Sequence, residues 1–185
     1  TDRSDIKRDQ IGTTWGVKLT DSTSENLELM DNITYNEKDF LLLGLGLSKD
    51  EIDYTKADNT KNNASSDSKY VYITNNNNFN KLILTQSLRH DNFDNFDNKT
   101  TGKIGAKYNV NDDLSFSSNL GTSYSVPLLI QNVNPWGDTN FDIEAEKSKT
   151  FDIGFDYDDF KVTYFYHKVN DLIDWYDPTP TNYYN

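Results

Sequence analysis

The sequence predicts an all-β fold: an antiparallel meander of about nine strands, running from one end of the chain to the other without closing on itself. Three observations predict it. Apolar and polar residues alternate with a two-residue period over most of the chain; short turns alternate with longer loops; and the apolar residues are rich in aromatics although the chain is polar as a whole. The alternation is clearest from Lys103 to Tyr176, centred on Gly121-Thr-Ser-Tyr-Ser-Val-Pro127. There Ile104, Ala106, Tyr108 and Val110 oppose Lys103, Gly105, Lys107 and Asn109. Leu114, Phe116 and Leu120 oppose Ser115, Ser117, Asn119 and Gly121, and Phe151, Ile153, Phe155 and Tyr157 oppose Asp152, Gly154 and Asp156. Such strands have one face in oil and one in water.

Composition narrows what the oil is. Only 35% of the 185 residues are hydrophobic, mean hydropathy is -0.81, and 14% are aromatic, with 12 Tyr and 10 Phe. A soluble sandwich builds its core from Val, Ile and Leu, whereas an outer-membrane barrel combines a polar lumen with aromatic girdles. No window approaches the run of about 18 apolar residues that a membrane-spanning helix needs. Net charge is -12, from 30 acidic and 18 basic residues, and no basic stripe is present, which argues against a nucleic-acid partner. There are no cysteines, so disulfides and thiolate metal sites are excluded. No secretory leader is recognisable at Thr1, and both ends read as cuts in a longer chain.

Taken in order, Gln10 to Leu19 reads as a strand with Ile11, Thr13, Trp15, Val17 and Leu19 on one face. A polar run, Thr20 to Glu25, leads to a second strand carrying Leu27, Leu29, Ile33 and Tyr35, its apolar face broken by Asp31. Asn36 to Asp39 has turn chemistry. Phe40 to Tyr54 is a long strand in which Leu41, Leu43, Leu45 and Leu47 oppose Leu42, Gly44, Gly46 and Ser48, small residues that permit close approach of another backbone. Ala57 to Ser68 has no period and reads as a mobile loop. Tyr70 to Thr74 and Phe79 to Leu88 are strands joined by the four asparagines Asn75 to Asn78, and His90 to Thr100 is a further polar loop. The strands from Lys103 and Leu114 meet at Asn111 to Asp113. After a long connection from Pro127 to Lys149, strands from Thr150 and Phe160 meet at Asp158-Asp159. Short turns near 36, 76, 112 and 158 thus alternate with longer loops near 60, 95, 138 and 178. Sorting of turns to one end and loops to the other is the layout of an outer-membrane barrel, not of a Greek-key sandwich.

Residue chemistry alone gives little. His90 and His167 have no Ser or Cys at a spacing that marks a nucleophile pair, and they read as solvated or lumen-facing. Asp91, Asp94 and Asp97 lack the Gly and terminal Glu of a calcium loop, and read as a solvated acidic loop. In the long loop Asn132, Asn134, Trp136 and Asp138 offer an aromatic plate and amides to a ligand, although Trp136 could equally pack the loop or join a girdle. Trp175 and Tyr176 read as girdle residues. Lys103, Lys107 and Asp152 read as solvating a lumen or touching what fills it. No catalytic residue, cofactor or metal is expected.

Several of these segments resemble the barrel of TonB-dependent outer-membrane receptors. Gly121-Thr-Ser-Tyr-Ser-Val-Pro127 is similar to a family strand end of Gly, Thr, aromatic and Pro. Asn140-Phe-Asp-Ile-Glu-Ala-Glu-Lys-Ser148 resembles a family segment of Asn-Pro-x-Leu-x-Pro-Glu-x-Ser, followed by a strand. Phe141 and Ala145 stand where that pattern has proline, so φ is not pre-set there. Tyr164 to Trp175, ending Asn170-Asp-Leu-Ile-Asp174, is similar to the next strand, and Arg89-His-Asp91 adds to the likeness. Gly121 to Tyr124, Glu146 to Lys149, Asp171 to Asp174 and Tyr183 to Asn185 resemble the cobalamin-receptor branch.

The resemblance implies that residues 1 to 185 are one segment of a 22-stranded transmembrane barrel, with the plug domain and remaining strands lying elsewhere. It implies a location in the outer membrane of a Gram-negative bacterium, with membrane lipid as a partner and TonB engaged through a segment outside this one. The expected cargo is a large, scarce nutrient: cobalamin first, a ferric siderophore or haem second. Two readings of other classes remain open at this point: a small closed outer-membrane barrel, porin-like or enzymatic, whose end strands pair with each other, and a soluble β-sandwich binding module that buries Leu43, Tyr108, Phe116 and Phe155.

Overall fold

The computed structural model describes residues 2–9, 17–56, 58–133, 140, 142–176 and 182–184. Nine strands form one antiparallel sheet in chain order: β1 (Asp2–Asp9), β2 (Val17–Thr34), β3 (Phe40–Lys56), β4 (Lys61–Phe79), β5 (Leu82–Phe93), β6 (Lys99–Asn109), β7 (Leu114–Ser125), β8 (Glu146–Tyr157) and β9 (Phe160–Asn170). A short helix, α1 (Leu129–Val133), interrupts the connection from β7 to β8, and a small hairpin, β10 (Asp174–Tyr176) with β11 (Asn182–Tyr184), follows the sheet. Among the described residues β1 and β9 are the two edges and do not pair with each other, so the sheet is an open meander as the sequence predicts. That removes the small closed barrel.

Register decides which residues share a face. Leu29 lies opposite Leu45, and Leu45 opposite Val71; Ile104 lies opposite Leu120, Leu120 opposite Phe151, and Phe151 opposite Tyr166. These side chains form an apolar band on one face, and nothing among the described residues covers it. Leu45 is 55% exposed and Phe116 48%. Leu43 and Tyr108 are exposed as well, and Phe155 is half-buried, which removes the sandwich reading. The opposite face is polar or small: Ser87, Lys103, Gly121 and Thr150 follow one another across β5 to β8.

Three stretches read from sequence as loops are strand. Thr20 to Glu25 continues β2, Lys61 to Ser68 opens β4, and Asn75 to Asn78 completes β4. The first two lie beyond the apolar band, where Ser24 pairs with Asp50 and Asp50 with Ser66. With mostly polar side chains on both faces such a strand shows no apolar alternation, and the backbone ladder carries it. The asparagines stay extended through an amide network at the other end of the band. Asn77 Nδ2 donates to the Tyr35 hydroxyl at 2.7 Å, that hydroxyl donates to Asn75 Oδ1 at 2.8 Å, and Asn75 Nδ2 donates to Gln86 Oε1 at 3.2 Å. The turn falls at Asn80-Lys81 instead, with Asn80 at φ 57°, a left-handed conformation that asparagine tolerates. Strand β5 likewise runs on to Phe93, four residues into the predicted His90 to Thr100 loop, and the sequence does not predict β1. Of the predicted Gln10 to Leu19 strand, residues 10–16 lie outside the described residues, and Val17 to Leu19 belong to β2.

The turns are as short as expected. Asn111 Oδ1 accepts from the amides of Asp113 and Leu114 at 3.1 and 2.7 Å, and the Asp158 amide donates to the Asp113 carbonyl at 2.9 Å, tying two neighbouring turns together. At the opposite end the β3–β4 connection closes in a few residues. Asn59 is left-handed at φ 70°, and Asp58 accepts from the Thr60 amide at 2.9 Å, which holds the Asp58 carboxyl below its usual range.

Gly44 and Gly46 make room for side chains, not for the backbone approach predicted. The Tyr72 and Tyr70 rings lie across them, reaching Glu28 Oε1 at 2.5 Å and Asn26 Oδ1 at 3.3 Å two strands away. The Tyr70 ring cannot swing aside freely, because the Arg89 guanidinium sits 3.9 Å from its centroid. Gly46→Val is therefore expected to destabilise the folded sheet by about 1–3 kcal/mol through overpacking, read as a lower midpoint of thermal unfolding in detergent. Gly46→Val combined with Tyr70→Ala should recover part of that loss.

Candidate ligand site at the loop end

Among the described residues the sheet's polar face is covered at one place. After β7 the chain turns over the ends of β3 and β4, and α1 packs on Ile52 and Tyr54, with Val133 buried and Ala64, Leu129 and Ile130 partly buried around it. Ile52 lies opposite Ala64 and Tyr54 opposite Asn62, so one face of the paired strands presents an apolar seat within an otherwise polar stretch. The Tyr54 hydroxyl donates to the Val133 carbonyl at 3.3 Å. Beyond α1 the Asn140 amide donates to the Asn132 carbonyl at 2.8 Å, and Asn132 Nδ2 donates to the Asn140 carbonyl at 3.1 Å, closing the loop at its base. Ile143 and Ala145 are buried on the way back to β8.

Between this inward-folded segment and the ends of β2 to β4 lies a cavity of about 480 Å³. Ser22, Ser24 and Ser66 give its lining hydroxyls and Asp50 and Glu51 carboxylates, while Phe93, Phe96, Leu129 and Ile130 are among its apolar residues. The two phenylalanine rings meet edge to face, with centroids 6.0 Å apart. No lysine, arginine or histidine belongs to the described lining. A cavity with hydroxyls, apolar side chains and carboxylates as its charge suits a neutral, amphipathic group and disfavours an anion.

Below it the same face changes character. Arg89 holds Asp91 in a fork, Nη2 to Oδ1 at 2.7 Å and Nε to Oδ2 at 2.9 Å, and Asp91 is only 1% exposed. The Tyr124 phenol lies against this pair, and its ring meets Phe93 edge-on with centroids 5.9 Å apart. A buried carboxylate persists only with such a partner. A second hollow of about 370 Å³, lined by Arg89 and Lys103 together with Glu28, Tyr72 and Ser87, opens beside it.

Of the residues predicted to meet a ligand, Asn132 is 2% exposed; its Nδ2 serves the loop base, and its Oδ1 has no hydrogen-bond partner among the described residues. Asn134, Trp136 and Asp138 lie outside the described residues. Of Asp91, Asp94 and Asp97, only the last two lie in a solvated loop: both are exposed, and Asp94 Oδ1 accepts from the Asp67 amide at 2.9 Å, whereas Asp91 is buried on β5. No group of three His, Asp or Glu placed to hold a metal occurs among the described residues. His90 pairs with Thr100 through Nδ1 at 2.8 Å, while His167 lies opposite Thr150, four strands away. Lys103 is exposed on the polar face, and Asp152 accepts from Asn119 Nδ2 at 2.8 Å. The side chains of Trp175 and Tyr176 lie outside the description. Sequence reading missed the seat for α1; its signal is Ile52 and Tyr54, two apolar residues at a two-residue spacing inside a polar stretch.

An open antiparallel meander with one bare apolar face, one polar face and a loop folded over the polar face is similar to part of a TonB-dependent receptor barrel. The chain belongs to the family described as TonB dependent receptor-like, beta-barrel, whose model matches residues 2–185. That is a family of outer-membrane receptors of Gram-negative bacteria, which are transporters and not enzymes. Among curated proteins it is similar to the vitamin B12 transporter BtuB of Vibrio vulnificus (strain CMCP6), with 25% identity over 184 residues, 94% of this chain and 28% of that protein. The chain thus spans less than a third of that relative's length. Among solved structures it is similar to the siderophore receptor PirA from Pseudomonas aeruginosa, with TM-score 0.75 and 15% identity over 90% of this chain and 35% of that one. It is also similar to the FrpB iron transporter from Neisseria meningitidis, with TM-score 0.71 and 18% identity over 90% of this chain and 31% of that one. At such identities these structures support the fold.

Ile52→Ala removes the floor on which α1 rests and is expected to cost about 2–4 kcal/mol of local packing. In the full-length receptor, limited proteolysis should then cut between residues 126 and 145 several-fold faster, with the thermal midpoint of the barrel little changed.

Proposed function

We propose that this chain forms part of the wall of a TonB-dependent outer-membrane transporter for a large, scarce nutrient, with cobalamin as its first-choice cargo. The single observation that carries the choice is the cavity under α1: hydroxyls, the carboxylates of Asp50 and Glu51 and apolar side chains, without a cation among the described lining, suit a large neutral molecule bearing amides and methyl groups. The likeness to a vitamin B12 transporter supports the same choice. In this reading residues 1–185 are one barrel segment, the apolar band of β2 to β9 faces membrane lipid, and the polar face lines the lumen. The end carrying α1 points away from the cell. The Asn132 to Asp138 loop meets the cargo, with Asn134, Trp136 and Asp138 as contacts and Asn132 as the residue that holds the loop. Energy comes from the inner membrane through TonB, engaged by another part of the receptor.

A second reading, a ferric siderophore or haem, is favoured by the lower hollow, where Arg89 and Lys103 offer cations to an anionic chelate.

Binding to the purified full-length receptor separates the two. Saturable cobalamin binding below micromolar concentration, weakened several-fold by Trp136→Ala, is the expected result. No cobalamin binding at micromolar concentration, with binding of a ferric chelate, would replace the first reading by the second. The membrane assignment has its own test. Leu45→Arg, at the middle of the apolar band, should destabilise the inserted barrel by about 2–4 kcal/mol, measured by unfolding from lipid vesicles; an unchanged stability would contradict lipid contact at that face.

A further inference from the structure

Lys149 and Lys168 lie directly opposite each other on β8 and β9, one step beyond the Phe151 and Tyr166 pair on the same face. Both are exposed. The alternation of β8 and β9 puts them on the apolar face with Ile153 and Tyr164, at the point where that face stops being apolar toward the end that carries α1. Side chains directly opposite in an antiparallel pair stand about 5 Å apart at Cβ, and like charges there repel. A chain with 30 acidic residues could readily neutralise them, yet neither lysine has an acidic partner among the described residues.

The acids that come nearest in sequence are engaged. Lys147 takes both Glu144 and Asp171, at 3.1 and 3.0 Å; Glu146 accepts the Ile173 amide at 2.8 Å; and Asp152 points to the other face, where it holds Asn119. On β7 the neighbouring Thr122 Oγ1 accepts the Gly102 amide at 3.1 Å. Two lysines therefore sit directly opposite each other, without an acidic partner among the described residues, where an aromatic layer ends.

We infer that Lys149 and Lys168 form a seat for the phosphate of an outer-leaflet lipid. One phosphate between the two ammonium groups accepts from both and turns their repulsion into attraction. The acyl chains of the same molecule then run along Phe151, Tyr166, Ile153 and Tyr164. Continuity with the aromatic layer selects a lipid over free phosphate, because the anion site and the apolar surface are adjacent parts of one face. The inference rests on the membrane reading above, and it is independent of which cargo the receptor carries.

The test uses the full-length receptor purified in detergent, with a bis-phosphorylated lipid A as probe, its dephosphorylated form and inorganic phosphate as comparisons, and retained lipid counted by native mass spectrometry. The parent should retain the phosphorylated lipid, and Lys149→Gln with Lys168→Gln should weaken retention roughly thirty-fold, about a factor of five per lysine. Lys149→Arg with Lys168→Arg should keep it, and cargo binding should be the same in all variants. If the double glutamine variant fails to reach the membrane, Lys168→Gln alone should show the fivefold loss. Equal retention by parent and glutamine variants overturns the inference, as does equal retention of the dephosphorylated lipid or saturation of the pair by millimolar phosphate. A receptor that does not enter the outer-membrane fraction at all would instead overturn the membrane reading.

Discussion

The structure depends on one constraint, that backbone N–H and C=O groups beside an apolar face must be paired by other strands. Hydrocarbon offers them nothing, so a sheet with a bare apolar face is viable only as an unbroken ladder. The chain meets this with strands in consecutive order, each pairing with its sequence neighbours, and with turns too short to disturb the register. Once the ladder is fixed, alternation assigns every side chain to one face. The position of Lys149 beside Lys168 and the spread of Tyr70 over Gly46 follow from that same register.

What could be read from the sequence tracks this constraint closely. From Lys103 to Gly121 and from Thr150 to Tyr157 one face is apolar and the other polar or small, and β6, β7 and the turn at Asn111 to Asp113 fall where the alternation puts them. The reading failed beyond the apolar band, where both faces carry mostly polar side chains. Thr20 to Glu25 and Lys61 to Ser68 are Ser-, Asp- and Asn-rich strands held by backbone pairing, and their composition is that of a loop. Asn75 to Asn78 misled for a different reason: asparagine is a turn former, but here its amides pair with Tyr35 and Gln86 across strands.

The candidate site was less legible, because it is made by a fold-back. The cavity joins Ser24 and Ser66 to Leu129 and Ile130, residues far apart in sequence, and no local pattern announces that the segment after Pro127 turns inward. Asn132 is legible as a polar residue of the long loop, but burial gives its amide nitrogen to the loop's own Asn140 carbonyl. Asp91 looked like a member of an acidic loop until Arg89, two residues before it on the same strand face, was seen to hold it. In each case a polar residue took its role from a partner that only the register brings near.

The length of β4 has a consequence of another kind. Its 19 residues extend roughly 60 Å at about 3.3 Å each, and even tilted by about 45° they rise well past an apolar band about 25 Å tall. In the membrane reading, the part from Lys61 to Lys69 stands outside as a stiff, hydrogen-bonded palisade. An antibody approaching the cell would meet a shaped surface assembled from three strands, Asp21, Asp53 and Asn63 side by side, and not a floppy ribbon. Synthetic peptides copying residues 57–68 would display a different shape, so immune recognition of this region depends on the folded wall.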